Sequence, residues 1–242
     1  MISQGALREL AKKYQTLESN VAREYIQHLF LSSLYKIKGS EKLLFKGGTA
    51  LRIIYGSPRF SQVLDYSGSG FYQIKEIDTL FINALSEVER IGPKIDILEA
   101  GKTSGGYLGI LSFRIYGFSG SINFEISLRK AKKEKGSVIT IVNDYLPSYF
   151  LIHLQEEAIV KEKINALLSR EKPRDWYDLY FILRHSLLRK YVDKKKMDEI
   201  IKKLSESNIN FKRELSGSLP VSHHLVLKNF KKNLQKEIQK LW

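Results

Sequence analysis

The chain has 242 residues, of which 43% are hydrophobic and 11% aromatic, so it can bury a core in one large domain or two small lobes. It contains no cysteine, which excludes disulfides and thiolate metal sites. No stretch approaches the roughly 20 apolar residues of a membrane span, and the N-terminus lacks the apolar segment of a secretory signal. We therefore expect a cytoplasmic protein that does not bind membranes.

The charge is strongly basic and unevenly distributed. The formal net charge is +14, and residues 186–242 contain 14 Lys and Arg against 6 Asp and Glu. Such an excess favours a polyanionic partner, because Lys and Arg neutralise phosphates and release counterions. A solvated, lysine-rich helical surface would have the same composition. Nucleic-acid contact is favoured, and the second explanation stays open.

Two helices are predicted at the start of the chain. Apolar residues recur at helical spacing between positions 5 and 17, and Ser19 or Asn20 can cap a second helix that ends at Gly39-Ser40. An apolar strand follows. Its end begins the stretch that we interpret as functional.

Residues 45–66 read FKGGTALRIIYGSPRFSQVLDY and place a Gly-Gly pair between the apolar strand and a short helical run. Adjacent glycines at such a junction let backbone N–H groups approach a phosphate, and the helix N-terminus favours an anion. Thr49 can cap this helix. The next strand, Gln62–Tyr66, places Val63 and Asp65 on one face. The pattern predicts a phosphate-binding turn beside a carboxylate.

The middle of the chain reads as a connector, a helix and a series of strands. Ser67–Gly70 is a predicted connector, and the helix has apolar residues from Ile77 to Val88 and ends before Gly92-Pro93. Alternating residues then predict strands at Lys94–Ala100, Tyr107–Phe118, Ser121–Arg129 and Val138–Val142. Glu125 lies on the polar face of the third of these strands, either as an exposed glutamate or as a functional acid.

From Leu154 onward the period is helical, beginning with QEEAIVKEKINALLSREKPRDWYDLYFIL at residues 155–183. Lys163 and Arg170 share the helical face expected to meet the sheet. An unpaired buried charge is costly, so they need an anion, either a nucleoside triphosphate or the carboxylates Asp65 and Glu125. Pro173 favours a new helix, and Asp175 suits its first turn. Further helices are predicted at Lys194–Glu206 and Val221–Leu241.

The strand, Gly-Gly turn, short helix and carboxylate-bearing strand resemble the core of polymerase-beta-like nucleotidyltransferases. Residues 47–67 and 155–183 more closely resemble the AbiEii family, the toxin component of bacterial and archaeal toxin–antitoxin pairs. The resemblance implies an α+β (α/β-like) fold with a mixed sheet flanked by helices. It places the nucleotidyltransferase core and N-terminal helices at residues 1–150, and a mostly helical C-terminal lobe at residues 151–242.

The resemblance also implies an activity, which is the transfer of a nucleoside monophosphate from a nucleoside triphosphate to RNA. The implied acceptor class is the tRNA 3′ end, the cofactor is Mg²⁺, and a cognate antitoxin protein is an implied partner. It assigns catalytic roles to Asp65, Glu125, Lys163 and Asp175, with Asp65 and Glu125 as metal ligands and Asp175 as a charge partner or part of the catalytic group. It assigns nucleotide contacts to Gly47, Gly48, Thr49, Arg59, Ser61 and Arg174.

The sequence departs from the family pattern at one position of the implied metal site. The family has two aspartates separated by one residue, and here position 65 is Asp but position 63 is Val. Valine offers no oxygen, which Mg²⁺ requires. Three hypotheses stay open: a nucleotidyltransferase acting on RNA with impaired catalysis, a catalytically degenerate member that binds nucleotide, RNA or a partner, and a basic α+β protein whose site is vestigial. If the protein is active, another oxygen donor is needed, with Glu76 or Asp78 as the nearest candidates in sequence.

Overall fold

A computed structural model of the chain describes residues 1–68, 70–71, 73–128 and 134–242. These residues divide into two compact units. The first unit comprises Met1–Gly56 and Phe60–Leu154, and the second comprises Gln155–Trp242 together with the short segment Ser57–Arg59. Every strand that the structure describes lies in the first unit, whereas the second unit is helical.

The first unit contains these elements in chain order: α1 (Gln4–Lys13), α2 (Glu18–Leu34), β1 (Leu43–Lys46), α3 (Gly47–Tyr55), β2 (Val63–Gly68), α4 (Ile74–Ile91), β3 (Lys94–Thr103), β4 (Gly106–Ile115), β5 (Phe118–Ser127), β6 (Gly136–Ile141) and β7 (Tyr149–Leu154). The second unit contains α5 (Glu156–Arg170), α6 (Pro173–Arg184), α7 (Met197–Glu206), α8 (Phe211–Leu215), α9 (His224–Lys228) and α10 (Phe230–Gln239). None of the described helices has the length and apolar character needed to cross a bilayer.

One mixed sheet is formed by the strands that the structure describes, in the order β3-β4-β5-β2-β1-β7-β6. The pairs β2–β5 and β1–β7 are parallel, and the other neighbours are antiparallel. The predicted mixed sheet flanked by helices is confirmed. Parallel neighbours cannot be joined by a short turn and need a long crossover connection. Between β2 and β5 this connection consists of α4, β3 and β4.

Helices α2 and α4 pack on one face of the sheet. The ring of Phe124 on β5 lies 4.3 Å from that of Phe30 on α2 and 4.5 Å from that of Phe81 on α4, between centroids. Each of these buried rings contributes about 1.5–3 kcal/mol through removal of apolar surface from water. Because side chains alternate along a strand, the opposite face carries Asp65 and Glu125. We call this opposite face the polar face.

The strand prediction for Tyr107–Phe118 was wrong at its end. Tyr116 and Gly117 adopt positive φ angles of 49° and 80°, so they form a two-residue hairpin turn, and β5 begins at Phe118 rather than Ser121. The predicted strand end at Arg129 lies outside the described residues, as does Ser69 in the predicted connector.

The last predicted helix, Val221–Leu241, is interrupted. Asn229 has φ −127° and ψ 40°, which is not helical, and it separates α9 from α10. Strand β7 was not predicted. Its sequence, YFLIHL, is a short apolar run next to a helical segment, and periodicity does not distinguish a buried strand from a helix over such a length.

A buried histidine lies on α2 in the first unit. His28 on α2 is 4% exposed, and its Nδ1 lies 2.8 Å from the hydroxyl of Tyr149. Burial lowers the pKa of His28 to about 4, with a smaller effect in the same direction from Arg52 and an opposing one from Glu24. The neutral imidazole is therefore the form that the folded protein accommodates.

This burial predicts a pH dependence of stability. Between the ordinary pKa of 6.5 and the folded value of about 4, the unfolded chain binds a proton that the folded protein does not. The free energy of unfolding should therefore fall as pH drops through this window, by up to about 3 kcal/mol from this residue. Urea unfolding between pH 7 and 4.5 measures the slope, and His28→Gln, which cannot be protonated, should flatten it. An identical slope in the variant would contradict this assignment.

Candidate functional site

The Gly-Gly turn connects β1 directly to α3. Gly47 is the first residue of α3 and has φ +86°, a left-handed conformation that side chains disfavour. A β-carbon at this position would lie 2.0 Å from Oδ2 of Asp65. Glycine is therefore required for two reasons, the backbone conformation and the close approach of the carboxylate. The start of α3 stabilises negative charge at Asp65 through its helix dipole.

Thr49 does not cap α3, so that prediction was wrong. The cap position is occupied by Lys46, because the positive φ of Gly47 lets the chain enter the helix three residues earlier. Thr49 is 1% exposed, and its hydroxyl donates a hydrogen bond to the carbonyl of Val63. This bond holds the first turn of α3 against the start of β2. Gly48, the second residue of α3, is buried beside it.

The two acids predicted to bind metal are neighbours in the sheet. The parallel register of β2 with β5 pairs Asp65 with Glu125 and Val63 with Asn123. Neighbouring strands lie about 4.8 Å apart, and paired residues in parallel strands project from the same face. Asp65 is half-buried and Glu125 is exposed. Lys46 on β1 pairs with Asp65 from the other side. The register thus brings a cation and two carboxylates together on the polar face.

The donor set suits a single divalent ion better than a pair of ions. Across the described ranges, no three His, Cys, Asp or Glu side chains are grouped to hold a metal. Asp65 and Glu125 could hold one ion whose other ligands are nucleotide phosphates and water, which is how Mg²⁺ is usually bound. Val63, on the same face, adds no oxygen.

Glu76 and Asp78 do not supply the oxygen ligand that is missing at position 63. Glu76 accepts from Lys42 Nζ at 2.8 Å, and Asp78 accepts from the Tyr107 hydroxyl at 2.7 Å. Both acids are on α4, which covers the other face of the sheet. The expectation that one of them replaces the missing ligand is therefore wrong.

Ser61, also in the first unit, is half-buried, and its carbonyl accepts from Gln27 Nε2 at 3.0 Å.

A buried ion cluster organises the second unit. Arg59 donates to Asp178 from Nε at 2.9 Å and Nη2 at 3.0 Å, and Lys163 Nζ donates to Asp178 at 2.8 Å. The side chains of Arg59, Lys163 and Asp178 are 6%, 12% and 1% exposed. Burial would raise the pKa of Asp178, but the two cations outweigh it and hold that pKa below its ordinary value. Two cations share one anion, so these three side chains carry a net positive charge.

The anionic partner of Lys163 differs from the two that the sequence suggested. It is Asp178 in the same unit, where a triphosphate or the pair Asp65 and Glu125 was expected. Asp178 was assigned no role from the sequence. The available signal was its position inside the apolar run WYDLYFIL, since an acid in such a run is expected to be buried and to need a partner.

Asp175 forms a second buried pair, with Arg170. Arg170 donates to both carboxylate oxygens of Asp175, from Nε at 2.8 Å and from Nη2 at 2.7 Å. The Asp175 side chain is fully buried, whereas that of Arg170 is 41% exposed. The pair fastens the end of α5 to the first turn of α6, as expected of a charge partner. Arg174 is half-buried and has no ion-pair partner in the part of the chain that the structure describes.

Comparison with known proteins identifies a family. The model of the family described as nucleotidyl transferase AbiEii toxin, of type IV toxin–antitoxin systems, matches residues 29–242. This match confirms the resemblance carried by the two motifs. No curated protein matches the chain.

Two solved structures have the same fold. JHP933 from Helicobacter pylori is 20% identical with a TM-score of 0.59, and the match covers 93% of this chain and 96% of that one. MenT4, a nucleotidyltransferase toxin from Mycobacterium tuberculosis, is 15% identical with a TM-score of 0.62, covering 98% of this chain and 89% of that one. Enzymes of this family generally use a divalent metal ion.

The contact between Gly47 and Asp65 can be tested with a matched pair of glycines. Gly47→Ala should lower the free energy of unfolding more than Gly56→Ala, at the other end of α3. Gly56 has φ +75° but nothing within 4 Å of an added β-carbon, so its variant should lose only about 1–2 kcal/mol of backbone strain. The clash with Asp65 should cost Gly47→Ala about 1–3 kcal/mol more. Equal losses in urea unfolding would show that the carboxylate does not lie against Gly47.

The ion cluster of the second unit predicts a large effect from one isosteric change. Asp178→Asn should lower the free energy of unfolding by about 3–5 kcal/mol, because two buried cations lose their counter-charge. Glu214→Ala removes an exposed partner of Arg213 and should cost less than about 1 kcal/mol. Urea unfolding followed by circular dichroism compares the two. A cost below about 1 kcal/mol for Asp178→Asn would contradict the cluster.

Proposed function

Because the chain belongs to the AbiEii nucleotidyltransferase toxin family, we propose that it transfers a nucleoside monophosphate from a nucleoside triphosphate to RNA. The proposed acceptor is the 3′ end of tRNA, the metal is Mg²⁺, and the site of action is the cytoplasm. One observation carries the proposal for this chain, which is the pairing of Asp65 with Glu125 beside the glycine turn at the start of α3. This arrangement offers oxygen ligands and helix N–H groups from the same end of one sheet.

The proposed reaction exchanges one phosphorus–oxygen bond for another. The 3′-hydroxyl oxygen of the acceptor bonds to the α-phosphorus, the bond from that phosphorus to the α–β bridging oxygen breaks, and pyrophosphate leaves. Glu125 is the more exposed of the two acids and is the residue suited to receive the hydroxyl proton. Asp65 and Glu125 would hold the metal, which would neutralise charge on the phosphates.

Backbone N–H groups of Gly47 and Gly48 are the proposed triphosphate contacts in the first unit. Thr49 contributes by fixing α3 through its bond to Val63, since its hydroxyl proton is committed there. Ser61 is a further proposed contact. In the second unit, the positive charge of the Arg59–Asp178–Lys163 cluster supports phosphate recognition by Arg59 and Lys163.

RNA binding and antitoxin binding complete the proposal. Residues 186–242 carry most of the basic excess of the chain, which supports an RNA partner. Arg174 is the proposed nucleotide contact at the start of α6, where its guanidinium has no ion-pair partner among the residues described. Asp175 is proposed as a positioning residue, because its ion pair with Arg170 holds the first turn of α6, where Arg174 lies, against the end of α5. A cognate antitoxin protein is the partner expected for a type IV toxin.

Val63 favours a second candidate function, which is binding without turnover. With no oxygen at this position, metal affinity and transfer rate should be reduced relative to a site with an aspartate there. We propose slow transfer, and the second candidate is a catalytically degenerate protein that binds nucleotide, RNA or a partner.

A labelled transfer assay separates these functions. Purified protein is incubated with total tRNA, Mg²⁺ and each α-³²P-labelled nucleoside triphosphate in turn. We expect label on tRNA that Asp65→Asn and EDTA each abolish. Nucleotide binding without label above the Asp65→Asn background would support the second candidate. Neither binding nor transfer would refute both.

Restoring an acid at position 63 should increase the transfer rate. Val63→Asp places a carboxylate on the strand face of Asp65 and should raise metal-dependent transfer by about tenfold or more, the scale on which donors around a metal affect activity. Val63→Ala, which removes the same side chain without adding oxygen, is the control and should stay at the parent rate. If both variants behave alike, the loss of a ligand at position 63 does not limit the reaction.

A further inference from the structure

Asn123 is the direct neighbour of Val63 in the sheet. The register of β2 with β5 pairs these two residues, one step before it pairs Asp65 with Glu125. Side chains two residues apart on a strand share a face, so Asn123 projects from the polar face with Glu125. Positions 63, 65, 123 and 125 are therefore neighbours on the polar face. Three of these residues, Asp65, Asn123 and Glu125, have a side-chain oxygen.

The surroundings of Asn123 suit a ligand rather than a structural amide. Its side chain is half-buried and forms no hydrogen bond within the described residues, whereas its backbone is paired in the sheet with β2 and β4. Asn143 and Asn210, by contrast, are committed to local structure. Asn143 accepts from two backbone N–H groups of the following turn, and Asn210 caps α8.

The chemistry of an amide side chain fits the missing position. Its carbonyl oxygen is a hard, neutral donor of the kind that binds Mg²⁺ and Mn²⁺ alongside carboxylates. We propose that Asn123 supplies the oxygen ligand that Val63 does not, as the third side chain of a metal site with Asp65 and Glu125. This inference rests on the proposed function, and it assigns the replacement to the neighbouring strand rather than to α4.

A neutral donor has a definite consequence for the site. The three side chains would carry two negative charges instead of the three of an all-carboxylate set, so a divalent ion should bind, but less tightly. A carboxylate at position 123 or at position 63 should each strengthen binding. Both changes act on the same ion, so their effects should not be independent.

Binding of Mn²⁺ alone, measured by the loss of its free-ion electron paramagnetic resonance signal, tests the proposal without turnover. Asn123→Leu, of similar size but without oxygen, should weaken binding by about tenfold or more, and Asn123→Asp should strengthen it. Ser127→Ala is the matched control, because Ser127 lies on the same strand and face, equally far from Glu125 on its other side. The control should bind Mn²⁺ as the parent does. Asn123→Ala serves as a second oxygen-free variant if the leucine variant does not fold.

A double variant distinguishes failure of this inference from failure of the proposed function. Adding Val63→Asp to Asn123→Leu should restore Mn²⁺ binding to at least the parent affinity. If Asn123→Leu and Asn123→Ala bind as tightly as the parent, or if the parent binds no Mn²⁺ while Val63→Asp alone does, Asn123 is not a ligand and the proposed site still stands. If neither the parent nor Val63→Asp binds Mn²⁺, the metal site at Asp65 and Glu125 is wrong as well, and both proposals fail.

Discussion

The approach of the Asp65 carboxylate to the backbone of Gly47 is the contact on which the candidate site depends. It requires a residue without a side chain at the junction of β1 and α3, in a left-handed conformation. That conformation starts α3 at the end of β1, which brings the helix N-terminus to the carboxylate and lets Thr49 bind the start of β2. Strand β2 is thus held by α3 at its start and by the parallel pairing with β5 along its length. A change at Gly47 would therefore displace both the acid and the N–H groups proposed to bind phosphate.

The second unit is organised by charge as well as by apolar packing. The segment Ser57–Arg59 belongs to this unit although α3 and β2 flank it in the chain, and the bidentate bond from Arg59 to Asp178 explains why. The pair Arg170–Asp175 likewise fastens α5 to α6. Buried ion pairs add little to the free energy of unfolding, because both charges must be removed from water. Removing one partner nevertheless lowers that free energy strongly, because the other charge stays buried without compensation. Within the second unit these pairs connect Ser57–Arg59 and α5 to α6.

Much of the fold followed from local pattern, and the parts that did not depend on tertiary contacts. The Gly-Gly pair and the alternation around Asp65 and Glu125 were sufficient for β1, α3, β2 and most of β5. The hairpin turn at Tyr116 was missed because a tyrosine at positive φ has no clear sequence signal. The role of Asp178 depends on an arginine 119 residues away, and no spacing rule reaches that far. Asn123 became a candidate only through strand register, which periodicity does not determine.

We propose that Asp65 and Glu125 form a metal-dependent nucleotide site in which valine stands at the position of a further carboxylate. A crystal of the protein grown with Mn²⁺ and a non-hydrolysable nucleoside triphosphate analogue tests it most directly, because manganese is located by its anomalous scattering. We expect one anomalous peak between the carboxylates of Asp65 and Glu125, with phosphate oxygens of the analogue among its other ligands. A bound analogue with no peak at these carboxylates, or a peak at a different group of acids, would contradict it.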